Sequence, residues 1–294
     1  MIRIENISKS YDGVAALREV SFDVGKGEIL GLVGPNGSGK TTLLKTLVGV
    51  VRPDSGRAWI AGVDSTEDAL EARLHVGYSP GDPALYDSLS VLEILEFAIG
   101  FHPQASLSLG KQFLDLFGVP LEKRAGKLSH GMKRKLLLSQ ALASQAPVLI
   151  LDEPMEGLDP EVRKTAEKIL VEQAGQGRAI LMSSHDLAGL ERTCHRVAFL
   201  REGRLLDVGK LEHFLARASR VLHIRFRESV ESARLPVGKE WTWKGDGLSW
   251  SLHTTGNLEA ALACLKGLPI ASCRDASGGL EEVFDALYGE EKTL

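Results

Sequence analysis

The chain is 294 residues long, 44% hydrophobic, 25% charged and only 6% aromatic, ordinary proportions for a globular protein. That length is generous for one compact core and suits one large domain with a smaller one. A formal net charge of −4 gives none of the basic footprint that nucleic-acid binders carry, so no nucleic acid is expected as a partner.

The first residues, MIRIENISKSYDG, carry Arg3 and Glu5 and no apolar leader. No stretch approaches the ~18 apolar residues that cross a bilayer, so action at a membrane calls for another chain. Residues 2–7 and 18–24 alternate as strands, and Glu28–Val33 is a short apolar run that reads as a buried strand. Gly34–Thr42 and the helix-permissive segment TTLLKTLVGVV come next. From about residue 85 to 145 the pattern is helical. Ser90 and Glu93 make a capping-box signature at the head of SVLEILEFAIGF, Gly118-Val119-Pro120 ends the next helix, and a third runs from Met132 to Ser144. Pro147 introduces the buried strand VLILDEP, Pro160 opens a helix, AILMSSH is a third buried strand, and HRVAFLREGRLLD reads as a hairpin around Glu202-Gly203. Strands and helices in alternation predict a mostly parallel sheet with helices on both faces.

The composition shifts after about residue 212. Trp241, Trp243, Leu248, Trp250 and Leu252 alternate on either side of Gly245-Asp246-Gly247, which predicts a hairpin with one apolar face. NLEAALACLKG and GGLEEVFDALYG read as short amphipathic helices, and the tryptophans as the core of a small α+β domain. Cys194, Cys264 and Cys273 are odd in number and lack metal-type spacing, as expected of reduced thiols in a cytosolic protein.

Two motifs carry chemistry. Gly34-Pro35-Asn36-Gly37-Ser38-Gly39-Lys40-Thr41 fits G-x-x-x-x-G-K-[ST] between a strand and a helix. Its glycines let backbone N–H groups curl around phosphate oxygens, while Lys40 neutralises phosphate charge and the Thr41 hydroxyl ligates Mg²⁺. Asp152 then ends an apolar strand where that ion would sit, and Glu153 is placed to polarise a water for in-line attack on a γ-phosphate.

A third segment names a family. Leu128-Ser129-His130-Gly131-Met132 closely resembles the LSGGQ signature of ATP-binding cassette (ABC) proteins and precedes a helix. Glu156-Gly157-Leu158-Asp159 resembles the D-loop of that family, and His185 its switch histidine. Tyr11 lies where the family stacks an aromatic on adenine, and Thr42 completes the nucleotide-binding loop. Over residues 1–212 the resemblance implies an α/β P-loop NTPase cassette: a mostly parallel RecA-like core sheet, an N-terminal antiparallel β subdomain and a helical subdomain at about 85–145. Residues 213–294 are the small C-terminal accessory domain. It further implies ATP and Mg²⁺ as cofactors, with Thr41 and Asp152 at the metal and Lys40, Glu153 and His185 in catalysis. ATP would lie in a head-to-tail dimer between the loop of one copy and Ser129, His130, Gly131 and Met132 of the other, with Asp159 linking the two sites.

The chain departs from the family pattern after Val76-Gly77-Tyr78-Ser79-Pro80, where Gly81 and then Asp82 replace the usual Gln or Glu. One contact to the metal or the attacking water is therefore missing. His130 and Met132 replace a glycine and a glutamine of the signature. Lys133, Arg134 and Lys135 form a charge run, read as a solvated helix face or a local positive field that draws in nucleotide.

Two functions fit a cassette. One is the motor of a transporter, peripheral on the cytoplasmic face of the membrane, driving a separately encoded membrane-spanning permease as a homodimer or with a related ATPase. The other is a soluble cassette ATPase of repair, chromosome organisation or translation. Lys40 and Asp152 are too close in sequence for the coiled-coil insertion of repair members, and translation members carry two cassettes. The transporter reading is the stronger. The tail LEEVFDALYGEE resembles those of drug-, lipid- or ion-exporting ATPases of the second ABC-exporter class, which favours export.

Overall fold

The chain opens on a hairpin: β1 (Ile2–Tyr11) and β2 (Val14–Val24) pair antiparallel. Asp12 and Gly13 turn it at φ 48° and 81°, the positive-φ pair that a two-residue turn between twisted strands requires. Both strands outrun their alternating patterns. The register shifts between Ile4 and Ile7, with Asn6 at φ 50°, and this bulge breaks the period-two signal. The computed structural model describes residues 1–217, 220–238, 241–254, 258–275 and 279–289. They divide into two compact units, Met1–Lys210 and Leu211–Leu294.

The first unit continues with β3 (Ile29–Val33), α1 (Lys40–Leu47), β4 (Ser55–Ile60), β5 (Val63–Asp64), α2 (Ala69–Leu74) and β6 (Val76–Ser79). Helices α3 (Val91–Ile99), α4 (Leu107–Leu116) and α5 (His130–Ala143) follow, with α5 packed on α3, α4 and β6. Then come β7 (Val148–Leu151), α6 (Pro160–Gly175), β8 (Ala179–Ser183), α7 (Leu187–Thr193), β9 (Arg196–Arg201) and β10 (Arg204–Lys210). Strands β2-β1-β4-β5 make an antiparallel sheet. A six-stranded sheet runs β10-β9-β3-β8-β7-β6, parallel except for the edge strand β10.

Every residue of β3, β7 and β8 is buried, which is why they read as unbroken apolar runs rather than alternating ones. Ile4, Val20, Leu30, Leu43, Leu44, Ile150, Leu181 and Leu200 join in one core. Full burial of each such side chain contributes ~1.5–3 kcal/mol. The Ser90–Glu93 capping box is present at the start of α3. Helix α1 stops at Leu47 because Gly49 takes φ 68°, earlier than the apolar run suggests.

The second unit comprises α8 (Leu211–Arg217), β11 (Arg220–Phe226), β12 (Trp241–Asp246), β13 (Ser249–Thr254), α9 (Leu258–Cys264), β14 (Ile270–Asp275) and α10 (Gly279–Gly289). Its antiparallel sheet has the order β12-β13-β11-β14. Trp250 and Leu252 are buried with Leu222, Ile224 and Phe226, and Trp241 and Trp243 pack against them. Leu248 departs from the predicted apolar face: it sits in the turn and is 44% exposed, because the turn interrupts the alternation. Asn257, at the head of the first amphipathic segment, lies outside the described residues.

Candidate nucleotide and phosphate site

Where β3 ends, the chain must pass from a buried strand into a helix within Gly34–Gly39. Gly39 holds φ 106°, and a β-carbon there would lie 2.5 Å from the Ala16 carbonyl oxygen, so only glycine fits. The loop and the first turn of α1 leave backbone N–H groups unpaired at the positive end of the helix, a setting for anions. Lys40 Nζ donates to the carbonyl oxygens of Gly34 (2.6 Å) and Pro35 (3.3 Å). Burial lowers its pKa, opposed by the carboxylates of Glu153 and Asp152.

Asp152, one residue beyond β7, is 1% exposed. Its carboxylate accepts from Thr41 Oγ1 at 2.8 Å and from Ser183 Oγ at 2.6 Å. Ser183 Oγ in turn accepts from the Glu153 N–H at 2.8 Å. Glu153 has φ 48°, an uncommon backbone for a residue with a side chain. Its Oε2 lies 2.9 Å from His185 Nδ1 and 3.3 Å from the His185 N–H. Asn36, Gly37, Ser38, Gly39, Lys40, Thr41 and Thr42 line one cleft with Asp152 and Glu153, of about 230 Å³. A wider groove of about 740 Å³ beside α6 and α7 has its Arg163 and Arg192 paired with Asp186 and Glu167. It lacks the glycine loop and the Thr41–Asp152 pair that the smaller cleft brings together, so the smaller cleft is the candidate site.

The other sequence-derived residues lie elsewhere. Tyr11 ends β1, is 46% exposed and faces Lys9 Nζ at 5.6 Å from its ring centroid; Ala16, not Tyr11, lines the cleft. Gly34 and Pro35 are not among the residues that line the cleft, and their carbonyl oxygens hold Lys40. Ser129 caps α5, accepting from the Met132 N–H at 3.3 Å, and His130 is exposed. Gly131 abuts Gly157, whose carbonyl oxygen would lie 2.6 Å from a β-carbon at 131. Asp159 caps α6 through the Val162 N–H at 3.0 Å and meets Lys135 Nζ at 3.1 Å. The first bond, then the lysine, lowers its pKa.

The charge run is neither a solvated face nor an open positive field. Arg134 is 3% exposed, Lys133 pairs with Asp87 at 3.5 Å and Lys135 with Asp159. Sequence reasoning missed Arg134 although it precedes buried Leu138 and Ala141 at helical spacing. It also missed Ser183, whose only signal is its place at the carboxyl end of a buried strand. Tyr78 is the third omission. Its hydroxyl is buried with no hydrogen-bond partner among the described residues, and burial, then the Asp152 carboxylate, pushes its pKa up to about 12.

Residues 17–156 match the family model described as ABC transporter. Nod factor export ATP-binding protein I of Burkholderia pseudomallei is 38% identical over 215 residues, 71% of this chain and 70% of that protein. This chain belongs to the ABC transporter family, as an ATP-binding subunit. An uncharacterized ABC transporter ATP-binding protein of Nostoc is 37% identical over 209 residues, and the match spans 69% of this chain but only 62% of the relative. A solved ATP-binding subunit of an ABC transporter superposes with a TM-score of 0.68 at 30% identity, covering 73% of this chain and 91% of that one. The ABC family model takes in Lys40, Thr41, Asp152 and Glu153 and stops short of Asp159 and His185. The P-loop NTPase cassette, with parallel core sheet and antiparallel β subdomain, is the fold of this ABC chain.

Proposed function

We propose that this chain hydrolyses ATP as the motor of an exporter, peripheral on the cytoplasmic face of the membrane and acting on a separately encoded membrane-spanning permease. The observation that carries the reading is the placement of Glu153, held to His185 at 2.9 Å, beside the Thr41–Asp152 pair in the cleft of the glycine loop. Loop N–H groups and Lys40 bind the phosphates. Thr41 Oγ1 and Asp152 Oδ2 are hard oxygen donors, a set that suits Mg²⁺, which when bound neutralises phosphate charge. Glu153 orients a water and takes its proton as the water oxygen bonds to the γ-phosphorus and the bond to the ADP oxygen breaks. His185 holds that carboxylate in place.

Closure of two copies head to tail brings Ser129, His130, Gly131 and Met132 of one to the γ-phosphate of the other, with Tyr11 beside the adenine and Asp159 at the interface. Among the described residues no helix is long and apolar enough to cross a membrane, so a permease would supply the path. On the helical subdomain Phe97 and Phe101 pack edge to face at 5.2 Å, yet each is more than half exposed, as is Tyr86, which supports this face as the docking surface. The export direction draws on the name of the Burkholderia relative and on the tail.

Affinity isolation of the chain from gently solubilised native membranes tests the partnership. A polytopic membrane protein is expected with it, and its absence sinks the motor reading. In parallel, Glu153→Gln should keep ATP binding, lose ~10²–10⁴-fold in turnover and accumulate as an ATP-bound dimer in light scattering. A Gln variant as fast as wild type removes Glu153 from catalysis.

A further inference from the structure

The guanidinium of Arg134 crosses from the exposed signature segment to the backbone that carries Glu153. At one end its Nε donates to His130 Nε2 at 3.4 Å. At the other, Nη1 donates to the carbonyl oxygen of Asp152 at 3.1 Å, with those of Pro80 and Glu153 at 3.4 Å. Its Nη2 meets the Glu156 carboxylate. The side chain is 4% exposed, and a buried cation persists only where it is paired and hydrogen-bonded. All three nitrogens of this fork are engaged.

These bonds fall on a strained place. Glu153 takes φ 48°, a conformation that surrounding structure must over-determine. Its N–H is held by Ser183 Oγ at 2.8 Å. Its carbonyl oxygen takes the Glu156 N–H at 3.2 Å and lies within reach of Arg134. By bonding both the Glu153 carbonyl and the Glu156 side chain, Arg134 clamps the turn 153–156.

We infer that Arg134 is a positioning residue: it fixes the Glu153 carboxylate for water activation and ties that carboxylate to its own chain's signature segment through His130. The inference rests on the ATP-hydrolysis reading and deepens it. In a head-to-tail dimer the signature segment of a chain contacts the nucleotide bound by its partner, whereas Glu153 serves the nucleotide bound by its own chain. The His130–Arg134–Glu153 path therefore lets one site sense whether the other is filled.

The test compares wild type with Arg134→Met, Arg134→Lys and His130→Ala, measuring ATP affinity, kcat and backbone amide exchange over residues 153–158. Misplaced catalytic groups cost about 10²-fold, and a fall in kcat of that order is expected for Arg134→Met, with ATP affinity within roughly threefold of wild type. Arg134→Lys keeps the charge and loses the fork, so it falls in the same direction by less. His130→Ala, at an exposed position, reduces kcat and the cooperativity of ATP hydrolysis while the amides of 153–158 stay protected. Arg134→Met turning over at the wild-type rate overturns the inference. So does an equal loss of kcat and ATP affinity, the mark of a general structural role. Should wild type itself not hydrolyse ATP, the hydrolysis reading falls, and amide exchange still decides the clamp: faster exchange at 153–158 in Arg134→Met supports it, and unchanged exchange removes it.

Discussion

Gly81 lies so close to Asp152 that a β-carbon built on it would sit 2.7 Å from Oδ2 and 3.0 Å from Cγ. The Asp152 carboxylate cannot swing away freely, because Thr41 and Ser183 hold its two oxygens. Glycine at this position thus fits the close approach of the loop after β6 to the carboxylate. Gly81→Gln is expected to lower turnover, with overpacking of ~1–3 kcal/mol displacing Asp152, and Gly81→Ala to lower it nearly as much. Steady-state ATPase assays of the two variants separate the causes: a Gln variant faster than wild type would mean that the missing amide matters more than the crowding.

Asp159 gives a pH dependence. Its bonds to the Val162 N–H and to Lys135 favour the carboxylate, so its pKa is lower in the folded chain than in the unfolded one. The stabilisation is present in full above the unfolded value, ~3.9, and is lost as pH falls through the folded one. Asp159→Ala is expected to lower Tm at pH 7, with the gap to wild type narrowing below pH ~4. The group is exposed, so the effect is small. A gap independent of pH would assign the loss to something other than the charge.

What the sequence made legible is whatever one segment determines alone. Gly34–Thr41 announces its own geometry because the strand, the glycines and the helix are consecutive, and Asp152-Glu153 is visible because an apolar strand delivers it. Ser90 and Glu93 declare a cap within four residues. The environment of Arg134 is different in kind. Its neighbours are carbonyls from the ends of β6 and β7, brought under α5 only by tertiary packing, and beside Lys133 and Lys135 it looks like surface charge. Strands β11 and β14 are illegible for a related reason: β14 (IASCRD) has no apolar alternation of its own and pairs with β11, far back along the chain. Gly81 read as a lost contact, since nothing in the sequence reports that Asp152 lies against it.

The thiols separate by burial. Cys194 is buried, and desolvation pushes its pKa up to about 12, whereas Cys273 is exposed. Only the thiolate is an effective nucleophile. Iodoacetamide at pH 8 is therefore expected to alkylate Cys273 in the native protein and to reach Cys194 only on unfolding in urea, as read by peptide mass spectrometry. Equal labelling of both under native conditions would contradict the buried placement of Cys194 behind β3.

Gly131 poses the sharpest steric test of the signature segment. A β-carbon there would lie 2.6 Å from the Gly157 carbonyl oxygen, a backbone atom that no rotamer change can move. Gly157 itself holds φ 70°, so its backbone has little alternative, and the strain must pass into α5 or into the loop that carries Glu156 and Asp159. Gly131→Ala is expected to destabilise the fold by ~1–3 kcal/mol in urea titration. Turnover should fall further than stability alone explains, because the same displacement pulls on Arg134 one turn along α5. A second substitution, Gly157→Ala, separates the contributions, since its own β-carbon meets nothing closer than 3.6 Å and its cost is the positive φ alone. If Gly131→Ala unfolds at the same urea concentration as wild type, the signature segment and the loop that carries Gly157 are not in contact as the structure has them.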